Sequence, residues 1–595
     1  MRSEKALYNK ALGASLIKRC WPIWMIWFAL LLFLLPMELL QVFDGLARTE
    51  AQLAAINAER RILGSAVDVL SLSIFAAPVV VMLLYSFLYN SRGCGMIAAL
   101  PISRESVFST VWLTGLLPLL LAEVLTALIT LSVVSPYGVD SGYVWTWLGA
   151  SALGITAFYG FAAFGAMLTG NIVVMPLVYF ALNLAAYLLR ELVATTLRSL
   201  LYGYMHSRSA FFEKLSPPVA MGYISVSEAE QGHFAFNSFP LLFAYCAAGL
   251  LFSVFALLLY RKRRMESAGD TVAIPILKPV FKCCAALAAA FGCAAFLYSE
   301  LLCRVLDGNA AGFAVVVCLV LGAALGWFAA EMIVQKSVRV FDKWKGALIA
   351  AAVVAVFGVC CEADVFGFEK TCPDADKVKS VTIEYYDTTV LTERENIGKA
   401  IALHRQLIDD KPINEARGAD HESLLIAYEL NNGKKVTRWY EYTRTLREDE
   451  PTAVAVLLQE LMNTPEAIES RAALPEGVTM DDLDQATFTG YYQSEGEYCV
   501  QDYKLTRAQA EDFLQNCVLP DTDEGKMLRV WTVPDDEYYS NVSTLEFDLV
   551  FRTAEGRLLW KHYKIYLDAP RCTKWIQENT DLRLQSLGEV NEQEK

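Results

Sequence analysis

Nine long apolar stretches fill the first 360 positions, and nothing else in the sequence limits the fold as strongly. They run over 21–43, 66–89, 108–134, 143–168, 172–193, 238–260, 280–303, 310–334 and 345–361. A helix needs about 20 such residues to cross the hydrocarbon layer of a bilayer, where only a helix or a closed barrel satisfies its own backbone. The expected class is an α-helical polytopic membrane protein of about nine transmembrane helices, followed by a soluble α+β domain. Charge divides at the same place, with about +6 over residues 1–360 and about −20 over 361–595, giving −14 for the chain. Only 19% of residues are charged, against about 25% in soluble domains. Together these features exclude a soluble enzyme, a disordered chain and a disulfide miniprotein. They also exclude a nucleic-acid binder, because the basic clusters flank apolar spans.

The clearest span is WPIWMIWFALLLFLLPMELLQVF, beginning at Trp21. It is too long for a cleaved signal peptide, and no small-residue cleavage site follows it. The weakest is KGALIAAAVVAVFGVCC, beginning at Lys345, which reads either as a ninth span or as a buried or interfacial helix. The loops predicted to be cytoplasmic, 1–20, 90–107, 169–171, 261–279 and 335–344, hold about 16 Lys and Arg together with Lys345. The opposite loops, 44–65, 135–142, 202–237 and 304–309, hold about 6, or 8 with Arg190 and Arg198. This bias predicts a multi-pass plasma-membrane protein with a cytoplasmic N-terminus. Nine crossings then leave the C-terminal domain outside, and eight would leave it inside. Trp21, Trp24, Trp27, Trp145 and Trp147 sit near span ends, where indoles favour the headgroup region, although Trp24 and Trp27 read equally well as lipid-facing packing.

Residues for chemistry are absent from the pattern. There is no Gly-x-x-x-x-Gly-Lys-Ser/Thr loop, no Cys-x-x-Cys and no Gly-x-Ser-x-Gly elbow. The histidines His206, His233, His404, His421 and His562 lack metal-ligand spacing. No catalytic, cofactor-binding or metal-binding set is expected, so energy for any work must come from a partner or an ion gradient.

The informative stretch joins spans two and three. Ser91–Gly95 reads as loop, Met96, Ile97 and Leu100 as a short apolar helix, Pro101 as its breaker, and Ser103 as the cap of span three. Such a helix in a polar loop needs a protein groove or the headgroup layer to cover it. The run Leu-Tyr-Asn followed by Ala-Ala-Leu-Pro-Ile-Ser-Arg-Glu-Ser-Val-Phe resembles the same region in permease subunits of type-2 ABC exporters of the Gram-positive multidrug and peptide-antibiotic type. The resemblance covers residues 1–265, the six-span core. It implies that Met96, Ile97, Leu100, Pro101, Ile102, Ser103, Arg104 and Glu105 form a coupling helix resting on a separate ABC ATPase subunit. It further implies a homodimer or a sister permease, and short re-entrant helices in the 202–237 loop. The three further helices of 266–361 and the C-terminal domain resemble extended permeases whose extra domain has no assigned role.

Glu123 lies mid-way along span three, where a carboxylate costs several kcal/mol unless a partner or a wet cavity receives it. It is the candidate translocation-path residue, with a packing role as the alternative. Glu38, Asp68, Arg190, Glu191, Glu300 and Glu331 lie nearer span ends, within snorkelling reach. Pro36, Pro78, Pro118 and Pro176 can kink their helices. After a polar linker at 362–377, residues 378–470 and 484–585 read as two copies of a β-α-β-β-α unit. Their hairpins align Gly433–Tyr440 with Gly556–Tyr563. Cys372, Cys499, Cys517 and Cys572 fall in this domain, where disulfides are allowed if that side is oxidising, with Cys499–Cys517 or Cys517–Cys572 preferred. The expected function is a membrane-spanning subunit of an ATP-driven exporter of a small amphipathic molecule or peptide antibiotic, surrounded by membrane lipids. A sensor or scaffold with an outer ligand-binding domain and a gradient-driven transporter are the alternatives.

Overall fold

The structure is a computed structural model that describes residues 7–46, 51–207, 209–228, 234–302, 306, 308–415, 421–446, 450–475, 477–494, 497–534, 536–553 and 558–588. The chain forms two compact units. One takes in residues 1–195, 207–297 and 317–356, and the other 196–206, 298–316 and 357–595. Among the described residues, nine helices are long and apolar enough to cross a membrane. The protein is therefore membrane-embedded, with a sheet-containing region after the last of these helices.

The first apolar helix, α1 (Lys10–Leu32), passes through a π-turn at Phe33–Met37 into a further helical stretch, Glu38–Leu46. Pro36 lies in that turn and lacks the N–H that a regular helix needs. Then come α2 (Ala51–Leu84), the short α3 (Ser91–Ala98), α4 (Arg104–Val134), α5 (Ser141–Leu168), α6 (Val174–Leu200) and α7 (Phe239–Lys262). The last three apolar helices are α8 (Lys278–Cys293, continued by a π-helical stretch to Leu302), α9 (Gly308–Gln335) and α10 (Trp344–Glu362). Short polar side chains start several of them. The Asn9 side chain accepts from the Leu12 N–H at 3.0 Å, and that of Asp140 from the Gly142 N–H at 2.9 Å.

The buried apolar core of the first unit runs from Leu16 to Tyr260. In it α5 and α7 touch backbone to backbone. A Cβ on Gly249 would stand 2.5 Å from the Ala157 carbonyl oxygen, and one on Gly160 would collide with Gly249. Small residues permit this approach, which gives membrane helices their packing energy. The α7–α8 linker is pinned to the α5–α6 turn. The Gly170 N–H donates to Asp270 O at 2.7 Å, and the Ala273 N–H donates to Leu168 O at 2.8 Å. Trp24, Trp27 and Trp147 pack in this core, whereas Trp21 and Trp145 are exposed. The first three therefore do not face lipid; helical periodicity turns them inward. Pro176 is the third residue of α6, in the first turn, where proline breaks no hydrogen bond. The 206–238 loop carries two one-turn helices, Ala210–Lys214 and Pro217–Ala220, and a small hairpin.

The second unit holds two four-stranded antiparallel sheets. Its first half contains β1 (Val378–Tyr385), β2 (Asp387–Leu391), α11 (Arg394–Asp409), β3 (His421–Leu430), β4 (Lys435–Thr443), α12 (Ala453–Met462) and α13 (Pro465–Ala472). The second contains β5 (Leu483–Ser494), β6 (Glu497–Leu505), α14 (Arg507–Phe513), β7 (Val542–Arg552), β8 (Leu558–Tyr566) and α15 (Pro570–Asn579). The strand orders are β2-β1-β3-β4 and β6-β5-β7-β8, one topology twice. Each half has its own apolar core. β2 is one strand more than the sequence led us to expect in the first half. Its hairpin turns on Tyr386, at φ 57°, with no Gly or Asn to signal it. The Gly556 turn lies outside the described residues. Cys372, Cys517 and Cys572 are free thiols, and the Cys499 side chain is not among those described.

Residues 196–206, the last turn of α6 and the chain just after it, pack within this second unit as a strap. The Glu369 carboxylate accepts from the Tyr202 N–H at 2.7 Å and from Lys411 Nζ at 2.8 Å. Asn414 Nδ2 donates to the Tyr202 hydroxyl at 2.9 Å, and the Trp439 N–H to Gly203 O at 3.3 Å. The Arg198 guanidinium lies 4.2 Å over the Trp439 ring. Gly203 has φ +78°, and a Cβ there would stand 2.6 Å from the Tyr440 ring, so both backbone and space require glycine. Glu369 belongs to the stretch expected to be a plain polar linker. Beneath the strap, His404 of α11 is fully buried. Its Nδ1 lies 3.0 Å from the Tyr428 hydroxyl and its Nε2 2.7 Å from the Tyr440 hydroxyl.

Burial, with the Arg438 charge second, lowers the His404 pKa from 6.5 to about 4. Between those values the unfolded chain binds a proton that the folded domain does not. The stability contributed by neutral His404 is thus complete above about pH 6.5 and is lost as pH falls toward 4. The shift corresponds to about 3 kcal/mol. In pH-dependent hydrogen exchange on the full chain, protection of β3 and β4 in wild type should fall more steeply over this range than in His404→Gln. Equal slopes would contradict the account.

Candidate functional site

The candidate site is the segment joining α2 to α4. After α2 the chain makes a tight turn at Ser86–Tyr89, and the Asn90 side chain caps α3 by accepting from the Arg92 N–H at 3.0 Å. The cap moves the helix start to Ser91, so Ser91–Gly95 is helical rather than loop. Cys94 Sγ donates to Phe87 O at 3.2 Å and ties the helix back on the turn. Cys94 is buried and Ile97 packs against the core, while Met96 is 65% and Leu100 37% exposed. Pro101 is exposed and Ile102 half-buried. The Ser103 hydroxyl accepts from the Ser106 N–H at 3.2 Å and begins α4 at Arg104, as the sequence predicted.

Two arginines fix this segment. Arg263, just past α7, is buried. Its Nη1 donates to Ala166 O at 3.0 Å and Met167 O at 3.3 Å, and its Nη2 donates to Leu88 O at 3.2 Å. These carbonyls belong to the end of α5 and to the turn after α2. Terminal helical carbonyls have no partner within their own helix, and a planar guanidinium reaches several at once. Arg104 Nη1 serves the end of α7 in the same way, donating to Arg261 O and Arg263 O, each at 2.9 Å. Glu105 pairs with Arg261 at 2.9 Å, an exposed contact worth well under about 1 kcal/mol. Arg104 and Glu105 are thus engaged inside the chain, not free at a rim. The apolar groups left open are Met96 and Leu100, beside Pro101. The role of Arg263 was not legible, since in the sequence it counts only as one of the basic residues of the 261–279 loop.

Glu123 is completely buried in α4. Neither carboxylate oxygen has a hydrogen-bond partner among the described residues. The nearby polar side chain is Ser151 of α5, whose hydroxyl donates to Leu148 O at 3.2 Å. Among the described residues no group of His, Cys, Asp or Glu could hold a metal ion. His233 lies outside them.

Removing the Arg263 side chain leaves at least three buried carbonyls without a donor, at about 1–3 kcal/mol each. Arg263→Ala should therefore lower the melting temperature of the detergent-purified protein by several degrees, whereas Arg264→Ala, at an exposed neighbour, should leave it unchanged. Equal effects would remove Arg263 from this role. No protein-family model, curated protein or solved structure matches the chain.

Proposed function

We propose that this chain is the membrane-spanning permease subunit of an ATP-driven exporter, with ATP hydrolysed on a separate subunit. The observation that carries this reading is α3. It is a short helix with exposed Met96 and Leu100, fixed through Arg263 and Arg104 to the ends of α5, α7 and the turn after α2. A partner that moved those two side chains would move three helix ends with them. A few buried anchors carry most of an interface's energy, and Met96 and Leu100 are of that kind. A small amphipathic molecule or a peptide antibiotic is the substrate class in keeping with the family resemblance. A homodimer or a sister permease would complete the pathway.

The strap supports an external C-terminal domain. Residues 196–206, the end of α6 and the chain after it, pack in the same unit as residues 357–595. Four apolar helices, α7 to α10, lie between them in the chain, and an even number of crossings returns a chain to the face it left. If α10 stayed on one face, three crossings would separate segments that touch. We read the two sheets, with their one strand order, as copies of a duplicated unit.

A gradient-driven transporter is the second reading, favoured by the buried, unpartnered Glu123. One set of variants separates the two. Leu100→Asp should abolish co-purification of the ATPase by burying an unpaired charge at the contact, and Arg104→Glu, which takes the donor from the end of α7, should weaken it indirectly and without marked dependence on salt. Glu123→Gln should leave both co-purification and ATP-dependent transport intact. If Leu100→Asp retains the ATPase and transports normally, while Glu123→Gln stops transport, the gradient-driven reading replaces the first.

A further inference from the structure

The first unit contains a cleft of about 220 Å³ between α8, α9 and α10. Its wall is almost wholly carbon, from Ala286 and Leu287 of α8, Trp327 of α9, and Gly346, Ile349 and Val353 of α10. A Cβ on Gly346 would collide with the Trp327 indole, so this glycine lets the ring form the cleft floor. Ile349 is 66% and Val353 59% exposed, so the cleft opens along that flank of α10. An apolar hollow of this size does not hold water. In a bilayer its natural filling is an acyl chain.

The charges at its end make the occupant specific. Lys278 and Lys282 begin α8, Lys336 and Arg339 follow α9, and Lys343 and Lys345 stand where α10 begins, against Asp270, Glu331 and Asp342. Lys282 is used by Glu331 at 2.6 Å, while Lys336 and Lys278 are used by Asp270 at 2.7 and 3.8 Å. Arg339, Lys343 and Lys345 are exposed and have no ion pair among the described residues. Lys345 directly precedes Gly346 at the cleft. Trp344 is exposed beside it, in the manner of an indole at the headgroup level.

We propose that this cleft binds one anionic phospholipid, with an acyl chain against Trp327 and Ile349 and the phosphate held by Arg339, Lys343 and Lys345. Basic groups at the end of an interhelical cleft select anionic headgroups, each cation adding measurably to the attraction. The site is independent of the exporter reading.

Full-length protein purified in detergent and mixed with phosphatidylglycerol or phosphatidylcholine of identical chains tests this by native mass spectrometry. Wild type should retain phosphatidylglycerol in preference by at least about ten-fold. The triple variant Arg339→Gln, Lys343→Gln, Lys345→Gln should lose the preference while keeping its melting temperature. Ala350→Phe, which fills the cleft, should reduce retention of both lipids. Equal retention of the two lipids by wild type, or an undiminished preference in the triple variant, would overturn the proposal. If Ala350→Phe does not fold, the triple variant, at exposed positions, decides alone.

Discussion

The guanidinium of Arg263 gathers the carbonyl ends of α5 and of the turn after α2, and the position of α3 depends on it. A helix that stops near a membrane face leaves its last carbonyls unpaired, and burial makes each of them costly. One side chain with five donors answers several such groups at once, and in doing so fixes their relative positions. Arg104 repeats the device on the end of α7. Two arginines thus turn separate helix ends into one rigid node, and the short α3 rides on it. Its exposed apolar side chains are held by polar contacts that they do not themselves make. That arrangement suits a contact through which movement is passed.

The second unit uses polar groups differently. There the strap is held by a carboxylate, Glu369, that receives both a backbone N–H and an ammonium group. Tyr202 and Tyr440 pack with tilted rings beside Gly203, over a histidine kept neutral by burial. The strap ties the end of α6 to the domain that follows α10. Asp270 ties the start of α8 and the end of α9 to the α5–α6 turn, its carbonyl oxygen accepting from Gly170 and its carboxylate meeting Lys278 and Lys336.

Much of this was legible. Apolar length alone located the nine helices, since a bilayer demands long uninterrupted runs. Alternation and Gly-containing turns located most of the strands, and Ser103 announced the start of α4. What escaped reading has a common cause. β2 follows a turn made by Tyr386, a residue type that carries no turn signal. Trp24, Trp27 and Trp147 lie near span ends in the sequence, but helical phase, which the fold alone settles, turns them inward. Arg263 and Glu369 looked like ordinary charges in a basic cluster and a polar linker. Their importance comes from carbonyls and amides that tertiary packing brings to them, and no local pattern encodes that. Within the candidate site, the exposed apolar pair was foreseeable from spacing, but the internal employment of Arg104 and Glu105 was not.

The account requires α3 and the C-terminal domain to face opposite sides of the membrane, because an ATPase and an outer domain cannot share one compartment. Single cysteines at Met96 and at Asn432, in the exposed turn between β3 and β4, test this in a cysteine-depleted background with a membrane-impermeant maleimide. Asn432→Cys should react in intact cells, and Met96→Cys only after permeabilisation. Reaction of both from the same side would contradict the account at its centre.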